Sequence, residues 1–186
     1  MKVTFTIPEG MHEVTIAKYR DLEAAMAKEK SDIGKVCAAV GVLCDVDPQH
    51  VMGMSAADFD RIAKELEWAM QKPKMNWKLI PTTFIHGEEY GIIPDLSDIS
   101  VGEFADLDKL VSGGDAFDNL EGVMAILYRR VTSKWREFYD IEPYNPKPKD
   151  AEVMRSMTMD VALGAVVFFW RIAEILASDS AHSLEK

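Results

Sequence analysis

The chain has 186 residues, 48% hydrophobic and 28% charged, which fits one ordinary folded domain or two small ones packed together. A chain of that length buries about 70% of its unfolded surface, so a core requires neither disulfides nor a structural metal. The net charge of -10 disfavours DNA and RNA as partners, because non-specific nucleic-acid affinity comes from clustered Lys and Arg.

Alternation from Lys2 to Ile7 predicts a half-buried strand, and Pro8-Glu9-Gly10 turns the chain towards a short return strand ending at Val14. Thr15 then caps a helix with Ile16, Tyr19, Leu22, Ala25 and Met26 at helical spacing. Asp32 caps a second helix, Asp47-Pro48 opens a short third, and Ser55-Ala-Ala-Asp58 opens a fourth that Lys72-Pro73 stops. A first module, residues 1–72, ends there.

After a connector, Trp77 to Ile80, Thr82 to His86 and Glu89 to Ile93 read as strands, the last two a hairpin turning near Gly87. Ser100-Val-Gly-Glu103 is a capping box for a helix with Phe104, Leu107 and Leu110 inward, and Ser112-Gly113-Gly114 breaks it. Asp115 caps the next helix, whose apolar spacing through Leu127 and Tyr128 continues weakly to Tyr139. Arg129, Arg130, Lys134 and Arg136 then fall at a helix end, where cations complement the macrodipole.

Pro143 to Pro148 cannot join a helix. A last helix starts at Ser156 or Thr158 and is apolar on most sides through Leu176. The second module is thus 77–178, and 179–186 reads as a tail. Hairpins followed by packed helices predict an α+β, mainly helical fold with two small antiparallel β-hairpins.

The chemistry-bearing residues fall at unproductive spacings. Four histidines show no HxxxH, the two cysteines no CxxC, and Asp106-Leu-Asp108 lacks the glycine and glutamate of a calcium loop. Cys37 and Cys44 lie seven residues apart on one helix, about 10 Å, too far to bridge, and free thiols suit a reducing compartment. The N-terminal MKVTFTIPEG lacks the long apolar run of a signal peptide. Val161 to Trp170, the longest apolar block, has half the length of a bilayer crossing and no Lys- or Arg-rich face for a membrane surface. The block reads as a core helix. Eleven methionines and the Phe168-Phe169-Trp170 group fit either such a buried helix or a protein contact, and the methionine, aromatic and acidic excess together lean towards an interaction protein. The candidate partner-binding residues are Met157, Met159, Val166, Phe168, Phe169 and Trp170; no catalytic, cofactor or metal site is expected.

The order FIHGEEYGIIPDLSDISVGEFADLD, NLEGVMAILYRR and MTMDVALGAVVFFW resembles a group of small tailed-bacteriophage proteins encoded among virion assembly genes, over roughly residues 82 to 170. More loosely, the first 72 residues resemble phage tail assembly chaperones, through the N-terminal hairpin and the helix starts at Thr15, Asp47-Pro48 and Ser55. The resemblance implies a non-enzymatic protein, in the cytoplasm of an infected bacterial host, that keeps the long apolar helix of a tape measure protein from aggregating. A head-tail connector or neck component, located in the virion and free to homo-oligomerise, is the alternative, and a phage enzyme such as a nuclease comes third. Neither of the first two implies a nucleic-acid or membrane partner.

Overall fold

The computed structural model describes residues 5–71, 73, 76–95, 99–112 and 116–170, which divide into two compact units, Met1–Pro73 and Lys74–Lys186. The fold is α+β and mainly helical, with one four-stranded antiparallel sheet.

In the first unit α1 (Ile16–Ala27) packs on α2 (Asp32–Leu43), which also meets α3 (Pro48–Met52) and α4 (Ala56–Glu65). Local chemistry sets each start. The Thr15 hydroxyl accepts from the Lys18 amide, the Asp47 carboxylate from the Gln49 amide ahead of Pro48, and the Ser55 hydroxyl from the Asp58 amide. For α2 the cap is Ser31, not the expected Asp32: its hydroxyl accepts from the Gly34 amide, leaving Asp32 in the first turn where its charge favours the helix dipole. Ile16, Leu22, Val40, Leu43, Ile62 and Leu66 are buried together.

The expected N-terminal hairpin is corrected in part. Residues 1–4 lie outside the described residues, residues 5–10 form no strand, and Met11–Glu13 is a 3-10 turn. Trp77 to Ile80 is likewise not a strand. That segment lies directly on α8, which is helical over residues 159–170: a Cβ added at Gly164 would strike the Lys78 carbonyl oxygen.

The second unit holds the sheet, in the order β1 (Thr82–Ile85), β2 (Glu88–Ile92), β3 (Tyr128–Trp135), β4 (Phe138–Ile141). His86 and Gly87, both at positive φ (51° and 82°), form the two-residue turn between β1 and β2. The expected helix to Tyr139 is overturned, since α6 (Leu120–Leu127) stops and the chain enters β3. Val131, Thr132, Trp135, Phe138, Tyr139 and Ile141 favour a pleated surface, and pairing of Tyr90 with Arg130 and Ile92 with Tyr128 satisfies the β2 backbone. The Asp115 cap lies outside the described residues; Asn119 stands at the N-terminus of α6. Pro148 does join a helix, α7 (Pro148–Met154), at the first position where its missing N–H costs nothing.

Tyr90, Ile92 and Tyr128 are buried with Leu120, Val123, Met124 and Met154 of α6 and α7. In α5 (Val101–Ser112) the expected inward Phe104 is 59% exposed, and Glu103 takes the inward place at 4% exposure. Pairing with Arg129 explains the exchange, because a buried carboxylate needs a partner that a phenyl ring does not.

Candidate interaction surface

β3 and β4 form a second hairpin, closed by the two-residue turn Arg136-Glu137 with Arg136 at φ 56°. Trp135 lies opposite Phe138 and Ser133 opposite Asp140, so period-2 alternation puts these four on one face and Lys134 with Tyr139 on the other. An irregularity between Val131 and Ser133 sets this alternation beyond the inner part of the sheet, as an extra residue in one strand does.

Tyr139 fixes the hairpin. Its ring reaches past β3 and lies over Gly91 of β2, where an added Cβ would sit 2.8 Å from Tyr139 Cδ2. The hydroxyl donates to the Ile92 carbonyl at 2.9 Å and lies 3.2 Å from that of Pro81. Burial pushes this phenol up, so it remains a protonated donor.

At the tip, Trp135 is 67% exposed and Phe138 75% exposed, an aromatic pair that gains nothing from the core. Beside it runs an open groove of about 1100 Å³. Leu79, Pro81, Ile92, Ile93, Pro94 and Ile99 line it with Ser133, Trp135, Glu137, Phe138, Tyr139 and Asp140 of the hairpin and Phe168 of α8. Asp95, Glu137 and Asp140 are the charged residues of its lining, which includes no Lys or Arg. Of the nearby cations, Lys134 pairs with Glu89, and Arg136 stacks on the Trp135 ring at 4.6 Å, at the groove border.

The four basic residues expected at a helix end therefore do something else. All lie on or beside β3: Arg129 pairs with Glu103, Arg130 approaches Glu88 at 3.7 Å, and the remaining two act as above. The Arg129 guanidinium also lies 5.7 Å from the centre of the Tyr144 ring, whose hydroxyl donates to Asp106 at 2.7 Å. Burial pushes the Glu103 carboxyl up, but the Ser100 hydroxyl and amide and the Arg129 guanidinium outweigh it and hold the group below its ordinary value. Desolvation and the bond to Asp106 raise the Tyr144 phenol. This network ties α5, β3 and the segment before α7 together.

The residues chosen from sequence separate into two sets. Met157, Met159 and Val166 are buried, which corrects their reading as contact residues: α8 is apolar around its circumference because it is enclosed through Val167. Phe168 and Phe169 are half-buried, Trp170 is 41% exposed, and of these Phe168 lines the groove. Trp135 and Phe138 were not anticipated. Their signal is the order Trp-Arg-Glu-Phe, two aromatics flanking a two-residue polar turn, which a helical reading conceals.

Among the described residues no group of three or more His, Cys, Asp or Glu could hold a metal ion, and no helix is long and apolar enough to cross a membrane. Burial raises the Cys44 thiol to about 11, which makes it a poor nucleophile at neutral pH. Compared with protein-family models, curated proteins and solved structures, the chain matches none.

Proposed function

We propose that this chain is a non-enzymatic assembly protein of a tailed-phage virion, acting in the host cytoplasm as a tail assembly chaperone for an aggregation-prone helical partner. The observation that carries the reading is the exposed Trp135 and Phe138 pair beside a largely apolar groove. Aromatics on a firmly anchored hairpin supply large contact area at little entropic cost, as interface anchors do. The sequence resemblance over residues 82 to 170 supplies the phage setting.

A head-tail connector is the second reading, favoured by Val101 and Phe104, exposed neighbours one turn apart on α5 that offer further apolar contact area. Quantitative mass spectrometry of purified particles against the infected lysate separates the two. A chaperone is abundant in the lysate and absent from particles. Recovery in particles at a fixed ring stoichiometry overturns the chaperone reading in favour of the connector.

A further inference from the structure

We infer that the groove between the β3–β4 hairpin and the Leu79–Pro81 segment is the docking site, and that its occupant is a partner helix whose apolar face is flanked by Lys and Arg. This rests on the contact-protein reading above and adds both a place and a partner chemistry.

The floor demands apolar side chains. Leu79, Ile93, Ile99 and Phe168 present hydrocarbon to the groove, and Trp135 and Phe138 stand exposed at its border, so an apolar helix face entering it removes area from water on both partners. The charges then select among apolar helices. Glu137 and Asp140 stand on the hairpin side, exposed, and the Ser133 hydroxyl that donates to Asp140 at 2.6 Å leaves that carboxylate its charge. Lys134 is neutralised by Glu89, and Arg136, which keeps its charge over the Trp135 ring, offsets one carboxylate of the two on the hairpin, so the groove, which Asp95 also lines, keeps an acidic excess. A net negative potential beside an apolar floor attracts a helix bearing positive charge and repels an acidic one.

The same charge argues against other occupants. A second copy carries the same net charge of -10, and an anionic lipid surface meets the acidic rim with like charge.

Calorimetric titration of the full chain with two designed amphipathic peptides tests this, one with leucines on one face and lysines on the other, one with glutamates replacing the lysines. The Leu/Lys peptide should bind at least about tenfold more tightly than the Leu/Glu peptide at low salt, and the gap should shrink in high salt. E137K/D140K should reverse the preference, with an unchanged melting temperature because both residues are exposed. W135A/F138A should weaken both peptides. Equal binding of the two peptides, both still abolished by W135A/F138A, sinks the charge inference and leaves apolar contact standing. Binding that W135A/F138A leaves intact sinks the docking site. A self-association of the chain alone that W135A/F138A dissolves, or binding to phosphatidylglycerol vesicles that it abolishes, reassigns the groove and overturns the proposal.

Discussion

Glu103 shows how one residue can serve two structural ends. Its carboxylate accepts from the Ser100 amide, completing the capping box of α5, and pairs with Arg129 of β3, joining helix to sheet. Because its folded-state pKa is depressed, its contribution is fully present above the ordinary carboxylate value and is lost as pH falls through the folded value. Glu103→Ala should therefore cost about 2 kcal/mol near neutrality, from the lost cap and the unpaired Arg129. That gap should narrow below about pH 4, where wild type loses the same interactions. Urea melts at pH 7 and pH 3 measure it; an equal cost at both would remove the carboxylate from the account. The capping box is legible in sequence because its partners are three residues apart. Arg129 is not, because its partner lies 26 residues earlier.

The β3–β4 hairpin is an exposed arm fastened by one aromatic ring. Gly91 gives that ring its seat, and the Ile92 carbonyl gives its hydroxyl an acceptor. Gly91→Ala should destabilise by about 2 kcal/mol through overpacking against Tyr139, and Tyr139→Ala by a similar amount through lost packing. The double variant should be less damaging than the sum, since the methyl then occupies vacated space. Strict additivity in denaturant melts would mean the two do not meet. The β1–β2 hairpin was readable from the alternation around Gly87, and the starts of α1, α3, α4 and α5 from their caps. The β3–β4 hairpin was hidden because α6 ends in the apolar run Ile126-Leu127-Tyr128, whose helical period carries on past the true boundary. What ends the helix is pairing with β2, some 40 residues away, and no local pattern contains that information.

Across the whole molecule, apolar character divides between enclosure and display. The most hydrophobic stretch, Val161 to Val167, reads in sequence as a core helix and is buried, Val166 included, although that residue was also a contact candidate. Display falls to residues embedded in polar sequence, Trp135 beside Arg136 and Phe138 beside Glu137, both exposed at the hairpin tip. Hydrophobicity in sequence thus marked the core, and only the fold could show which aromatics remain outside it. The first unit is a helical assembly with its own buried centre, and the groove's lining belongs wholly to the second.

On the proposal made above, the hairpin tip and its groove are where this protein meets its partner. Hydroxyl-radical footprinting of the full chain, read residue by residue in mass spectrometry, tests it with and without the Leu/Lys peptide. Trp135 and Phe138 should lose most of their oxidation on binding, while Phe84 and Phe104, equally exposed but outside the groove, keep theirs. Protection of Phe84 or Phe104 with Trp135 and Phe138 unchanged would place the contact elsewhere on the molecule.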